Sequence, residues 1–407
     1  MSTTMTRPLS ATGASMREPR FIQAALLLLT ASLTVLVTAI LGPSMPAMQA
    51  HFKDVPGADY LVPLTMTAPM LMMAGLSVFV GELADRVGRK PLLLGSVTLY
   101  AVIGTAPLYL DSLMAIIASR FALGALEACL MTVSTTMIGD YYDGAKRERY
   151  MSLQTTVAAT SAFLLNNVGG MVAEYGWRAP YAVFAISLIL APLMALYLWE
   201  PHTRANMTAA QVEQDSMSFR PGRLGFICVL AVVLGIEFLT VPVHFGYLFG
   251  AIGVQSPAQI GIAYGINSLG VIAGTLLFGW GLAQRVGVPL QLTLGCLVAG
   301  GGFMMMQGAA DYTTMTTAGF LNGLGCGVLL PTMVTWNMRE LPVSRRGVGI
   351  GAYQSAQFFG MFVNPILIVG LEKELGGARA LAIGLEGRVL VGLGLLALAI
   401  GLLGRRR

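Results

Sequence analysis

The sequence predicts an all-α membrane protein with twelve transmembrane helices in two six-helix, pseudo-symmetric halves. Three observations predict it. Of the 407 residues, 55% are hydrophobic and only 11% charged, against about 25% charged in a soluble domain. The apolar residues fall in runs of about 20, the length that crosses a hydrocarbon core. Polar signals in two loops recur at one constant offset, as a duplicated unit would produce. The composition excludes an ordinary cytosolic enzyme and a disordered chain, which requires low hydrophobicity. With 49 Gly and 19 Pro in no repeating order, nothing suggests a fibrous or low-complexity chain.

The runs are Phe21–Leu41, Tyr60–Val80, Pro91–Leu110, Leu113–Met137, Met151–Val172 and Ala179–Trp199, then Leu224–Gly250, Gln259–Leu282, Val288–Met306, Thr316–Met333 and Val348–Leu371, and a last one ending at Leu403. The last has a short uninterrupted stretch, Val389–Leu403, which places Glu386 and Arg388 near its outer end. The polar segment Met1–Arg20 precedes a first run too long for a cleaved signal, so that run reads as a retained helix. Lys and Arg set the orientation. With both termini cytoplasmic, nineteen of the 25 cations fall on the inner side and five on the outer; Arg120 lies within a span. The net charge of +5 is therefore an inner-face feature and not a footprint for nucleic acid.

The longest polar stretch divides the chain into a tail (1–20), a first bundle (21–199), a cytoplasmic linker (200–223) and a second bundle (224–404). Arg86-Val87-Gly88 matches Arg285-Val286-Gly287 at an offset of 199 residues, and Lys146-Arg147 matches Arg345-Arg346 at the same offset. Such repeats place a substrate site near the midplane, between halves that rock against each other.

The segment Gly81-Glu82-Leu83-Ala84-Asp85-Arg86-Val87-Gly88-Arg89-Lys90 reads physically as a turn with a compact charge cluster at the inner surface. It also resembles, at every specified position, the loop motif of the major facilitator superfamily, G-x-L-A-D-R-x-G-R-K. Gly42-Pro43-Ser44-Met45-Pro46 after the first helix and Gly176-Trp177-Arg178-Ala179-Pro180 before the sixth resemble further landmarks of that family. The likeness is strongest to its twelve-helix drug:proton antiporter, or small-molecule efflux, branch. One landmark departs: the helix-five signature of drug antiporters has Gly-Pro ahead of a Gly-Gly pair, and here Leu165-Asn166 precedes Gly169-Gly170. The resemblance implies a gating role for the motif (Gly81, Asp85, Arg86, Gly88, Arg89 and Lys90), through contacts with the eleventh helix that hold the inner side closed.

Three formal charges fall within the spans: Arg120, Glu127 and Glu237. Each costs roughly 2.5–3.5 kcal/mol at a helix centre on insertion scales, so they mark function. Arg120 and Glu127, seven apart, share a face about 10 Å apart along the helix. Arg120-Phe121-Ala122-Leu123-Gly124-Ala125-Leu126-Glu127-Ala128 resembles the fourth-helix motif of the superfamily. Its Arg is shared with proton-driven antiporters, whereas the added Glu-Ala is more like organic-anion symporters and spinster-type lipid transporters. Burial and a nearby Arg act oppositely on a carboxyl, which makes Glu127 a candidate for proton exchange; the alternative is a permanent Arg–Glu brace. Glu237 and His244, seven apart with Pro242 between, suit a proton relay or a cationic substrate group, or else His244 sits silently near the outer interface.

Neutral polar residues complete the expected cavity: Tyr353, Gln357 and Asn364 on one face of the eleventh helix, with Asn267 on the eighth and Asn322 on the tenth. Thr30, Thr34 and Thr38 are spaced to bond their own helix backbone. Cys129, Cys228, Cys296 and Cys326 each stand alone in an apolar run and read as buried, inert thiols. Gly323-Leu324-Gly325-Cys326-Gly327 lacks a βαβ context and reads as close helix packing.

Together these features predict a secondary active transporter and not an enzyme: proton-coupled efflux of small organic molecules by alternating access. The alternatives are a proton-coupled importer of organic anions, with Arg120 as counter-charge, and an exporter of a lipid or siderophore. No P-loop is present, and His51, His202 and His244 lie far apart, so neither cofactor nor metal is expected. The expected partners are the lipid bilayer, a small-molecule substrate and the proton. The expected place is the plasma membrane, a bacterial inner membrane, with the protein a monomer.

Overall fold

Each apolar run falls on a helix, and most of those helices are longer than the run; Pro91–Leu110 and Ala179–Trp199 instead extend past the ends of theirs. A computed structural model describes residues 19–142, 144–201, 220–341 and 346–404, among which twelve helices are long and apolar enough to cross a membrane. α1 (Phe21–Leu41) passes through a 3-10 turn, Gly42–Ser44, into a short continuation, Met45–His51. α2 (Ala58–Val87), α3 (Arg89–Gly104), α4 (Leu113–Tyr141) and α5 (Gly144–Ala173) follow. α6 (Ala179–Tyr197) starts as a 3-10 segment, Ala179–Ile186, and finishes as α-helix. The second half comprises α7 (Pro221–Ala251), α8 (Pro257–Leu277, with a π-helical end Phe278–Leu282) and α9 (Val288–Gly308). α10 (Tyr312–Glu340), α11 (Arg346–Glu374) and α12 (Arg379–Gly404) complete it.

Hydropathy marks only the part of a helix that lies in hydrocarbon, whereas the backbone hydrogen-bond ladder continues into polar surroundings. Two expectations are corrected on that ground. The motif Gly81–Val87 is not a loop: it forms the last turns of α2, which stops at Gly88, where φ is +96°. α12 begins at Arg379, so Glu386 lies two turns inside it, not at its outer end. The predicted tail and most of the predicted linker (1–18 and 202–219), with Arg345 and Arg405–Arg407, lie outside the described residues.

The duplication is visible in which helices touch. In the first half α2 packs on α4, α1 on α5, α3 on α4 and α3 on α6. Shifting each number by six gives α8 on α10, α7 on α11, α9 on α10 and α9 on α12, all of which are present. The halves meet through α5 on α8 and α11 on α2, a pair that the same shift exchanges. One apolar cluster fills the first half and reaches Leu239 and Val243 of α7 and Met361 of α11, and a second lies wholly in the second half. Within the second half, bare glycine backbone forms the seam. A Cβ on Gly323 would lie 2.2 Å from the Asn267 carbonyl oxygen, and one on Gly274 would lie 2.1 Å from that of Leu324. The glycine run on α10 is thus a packing surface.

Candidate functional site

Two groups of buried polar side chains lie within the spans, one in each half. In the first, α4 carries Arg120 and Glu127, both fully buried. No ion pair joins them among the described residues. The Arg120 guanidinium instead donates to the carbonyls of Ile103 (2.8 Å) and Gly104 (3.1 Å) at the end of α3. It also lies over the rings of Tyr181 and Phe184, 5.2 and 5.5 Å from their centroids, which holds the cation among apolar walls. Tyr100 of α3 stands beside Glu127. Its hydroxyl donates to the Leu33 carbonyl at 2.6 Å and lies 3.4 Å from Glu127 Oε1. Arg120 Nη1 and Glu127 Oε2 have no hydrogen-bond partner among the described residues.

In the second half Glu237, near the centre of α7, accepts from Cys326 Sγ (2.8 Å) and Asn322 Nδ2 (3.3 Å) of α10. The Cys326 thiol therefore has a polar partner. His244 is fully buried and does not face the same neighbour as Glu237. Its Nε2 lies 3.2 Å from Asn364 Oδ1 of α11, so Glu237 and His244 make no direct contact with each other among the described residues. α7 lies against both α10 and α11, and the two side chains reach different ones. The Asn364 amide nitrogen donates to the Ile236 carbonyl (2.9 Å) and to Thr240 Oγ1 (2.6 Å). Thr240 Oγ1 lies 3.0 and 2.9 Å from the two carboxylate oxygens of Glu386.

The remaining predicted cavity residues separate. Asn267 donates to the Gly319 carbonyl at 2.7 Å and joins α8 to α10. Tyr353 is buried in the apolar cluster of the second half. Gln357 lies where its carbonyl oxygen would be 2.3 Å from a Cβ on Gly235, a close backbone approach of α11 to α7. Thr30, Thr34 and Thr38 each donate to the carbonyl three residues earlier, as their spacing suggests.

Among the described residues, the charged motif makes its polar contacts within the first half. Arg89 forms ion pairs with Asp140 at the end of α4 and with Asp85 (3.6 Å). The backbone N–H groups of Arg89 and Lys90, at the start of α3, donate to the two Glu200 carboxylate oxygens at 2.7 and 2.8 Å. A carboxylate suits a helix N-terminus. Lys90 Nζ reaches the Ala195 carbonyl (2.8 Å), and Arg86 pairs with Glu82 (2.5 Å).

Contacts between the halves collect toward the end away from Gly88. A Cβ on Gly170 of α5 would lie 2.8 Å from Gly261 Cα of α8. Asn166 donates to Ser268 Oγ at 3.0 Å, and Lys373 pairs with Asp59 at 3.6 Å. Glu174 accepts from Ser256 Oγ (2.7 Å) and from the Ala258 N–H (3.0 Å) at the start of α8. Those two donors hold its carboxyl below the usual range. At the opposite end, no hydrogen bond or ion pair joins the halves among the described residues.

The molecule is thus two quasi-equivalent bundles, each with its own buried polar group, joined by polar contacts toward one end. Residues 27–365 match the Major Facilitator Superfamily. The chain belongs to that superfamily. It is an integral membrane protein of the major facilitator fold. Among its relatives, the uncharacterized MFS-type transporter YdgK of Bacillus subtilis (strain 168) is 22% identical over 59% of this chain, and the chain covers 63% of that protein's length. Multidrug resistance protein D of Escherichia coli (strain K12) is 23% identical over 76% of this chain and 80% of that protein. The fold is similar to the crystal structure of a bacterial homologue of the human lysosomal transporter Spinster in an inward-facing, occupied conformation. The TM-score is 0.74 at 14% identity, covering 96% of this chain and 98% of that one.

Sequence reading missed Tyr100, Glu174, Thr240 and Glu386 as site residues. Glu386 carried a legible signal, a carboxylate only three residues ahead of an unbroken apolar run. The other three are residue types that need a known neighbour before they mean anything.

Proposed function

We propose that this superfamily transporter couples proton entry to the efflux of small organic molecules. The observation that carries the coupling is the environment of Glu127. It is a carboxyl buried in the membrane whose neighbouring cation, Arg120, is committed to two carbonyls and two aromatic rings and not to it. The Tyr100 proton is taken by Leu33 at 2.6 Å, so the phenol oxygen is free to accept from a protonated Glu127. A carboxyl built as a brace would be paired; this one is arranged to gain and lose a proton. The resemblance to a multidrug resistance protein supports efflux of drug-like compounds or metabolites.

With nineteen of 25 cations on the inner side, both termini lie in the cytoplasm, and the membrane is the inner membrane of a bacterium. The closed end then faces outward and the conformation is inward-facing, as in the Spinster homologue it resembles. In the next state Glu127 or Glu237 takes a proton from outside, and the substrate's departure precedes its release inside.

The test is transport in reconstituted vesicles, using a compound identified by a thermal-shift screen of the purified protein. Glu127→Gln is expected to abolish movement driven by a pH gradient and to retain substrate exchange. Wild-type gradient dependence in the variant would overturn the role.

A second reading, import of an organic anion, draws on one observation: Arg120 Nη1 is buried without a partner among the described residues. Accumulation in right-side-out vesicles, against inverted ones, separates the two directions.

A further inference from the structure

The geometry points to Glu386 as a proton-binding residue of the second half, served by a directed hydrogen-bond chain from His244 through Asn364 and Thr240. This rests on the proton-coupled reading above and names a group that reading does not contain.

The direction of the chain follows from donor and acceptor chemistry. The Ile236 carbonyl can only accept, so the Asn364 atom 2.9 Å from it is the amide nitrogen. Its second N–H points to Thr240 Oγ1 at 2.6 Å. Asn364 Oδ1 is then an acceptor, and the His244 Nε2 facing it at 3.2 Å carries the hydrogen. Thr240 Oγ1 already accepts from Asn364, so its own proton is the free element. It has two acceptors within reach: the Glu386 carboxylate at 2.9 and 3.0 Å and the Ile236 carbonyl at 3.1 Å.

Those two acceptors give Glu386 a satisfied arrangement in both protonation states. When Glu386 is ionised, Thr240 donates to it, and three successive hydrogen bonds point at the negative charge. When Glu386 is protonated, the Thr240 proton swings to Ile236, and the Glu386 O–H donates to Thr240 Oγ1. No heavy atom needs to move and no donor is left without an acceptor. The Asn364 amide orients the chain but passes no proton, so His244 is a positioning residue here and not a relay.

The titratable groups near Glu386 are Glu237 of α7, to which it is electrostatically coupled, and Cys326 of α10. Arg379, at the start of α12, is engaged with Glu372 at 2.8 Å and lies over the Tyr247 ring at 4.1 Å. α9, the main neighbour of α12, contributes Cys296, which interacts with Glu237. Two carboxyls in electrostatic contact favour single occupancy by charge, so Glu386 and Glu237 take protons in turn and not independently.

The experiment is pH-difference infrared spectroscopy of the purified full-length protein, read at the carboxyl stretch. A protonated-carboxyl component present in wild type, Glu127→Gln and Glu237→Gln should be absent in Glu386→Gln. Thr240→Val should displace that component by removing its hydrogen-bond partner, and Thr240→Ser should return it. A Glu386→Gln spectrum that keeps every wild-type component would overturn the proposal, as would a Thr240→Val spectrum identical to wild type. Hydrogen exchange of residues 257–268, where α8 seals against α5, measured only above about pH 5 so that Glu174 stays ionised, separates this failure from that of the underlying reading. If Glu386 titrates while exchange at that seal is independent of pH, the coupling reading fails and the proton site stands. If exchange depends on pH equally in wild type and Glu386→Gln, coupling stands and Glu386 is not its agent.

Discussion

The two buried polar groups are built on opposite plans. In the first half Arg120 and Glu127 each keep an atom without a hydrogen-bond partner among the described residues, and a single phenol stands between helices. In the second half Glu237 and Glu386 are both supplied with donors, and the chain from His244 to Glu386 ties α7 to α11 and α12. An incompletely satisfied group in a low-dielectric interior is costly and responds strongly to a change of charge. The second-half chain leaves only His244 Nδ1 without a partner among the described residues, and its carboxylates and amide are all engaged, so it rigidifies what it connects. On the proposed reading, the gradient-sensing step falls to the first half and the bracing framework, with the proposed proton site, to the second.

The largest expected effect tests that division directly. Glu127→Gln should reduce gradient-driven transport to the level of protein-free vesicles, with stability near wild type in a thermal unfolding assay. Next is Asn364→Leu, which removes three hydrogen bonds, takes the amide donor from Thr240 and leaves His244 without its partner. A destabilisation of about 2–4 kcal/mol is expected in denaturant titration. Tyr100→Phe, its counterpart in the first half, loses one principal bond and should cost about 1 kcal/mol. Equal costs for the two would remove the contrast. Cys326→Ala takes one of two donors from Glu237, and Cys326→Ser replaces it. A difference in transport activity between the two, about twofold to tenfold, is expected from one hydrogen bond of ordinary strength, about 0.5–1.5 kcal/mol. None would mean that Asn322 alone holds Glu237.

The smallest effect belongs to the rim. Glu174→Gln weakens an exposed contact, so opening at the far end, read by hydrogen exchange of the α8 start, should rise only about twofold to fivefold. The sign with pH is definite. The sealed state holds the Glu174 carboxyl below its usual value. Its stabilising contribution is therefore complete above the ordinary carboxylate range, about pH 4.3, and is lost as pH falls through the lowered value. Exchange at the seal that slowed on acidification would contradict it.

Much of the fold was legible because the length of an apolar run is a local property, and twelve such runs need no knowledge of neighbours. The duplicated contact pattern was foreshadowed by Arg86-Val87-Gly88 and Arg285-Val286-Gly287. The site was legible only where charge itself is the signal, as at Arg120, Glu127 and Glu237. Glu386 was displaced to a helix end because hydropathy cannot tell a boundary from a satisfied carboxylate. Its partner Thr240 is 146 residues away in sequence. Asn166, read as a departure from a family signature, donates across the interface to Ser268. Its meaning lay in the other half of the chain.

The glycines where α5 meets α8 have a consequence for how the far end answers its surroundings. Gly170 and Gly261 bring main chain against main chain, with no side-chain charge at the point of closest fit. Dissolved ions screen charges and leave steric fit untouched. Salt should therefore loosen the outer ring of Asp59–Lys373 and Glu174 while the plug beneath it holds. The barrier against leakage would then be the same in fresh water and in brine, and only its readiness to begin opening would follow the medium.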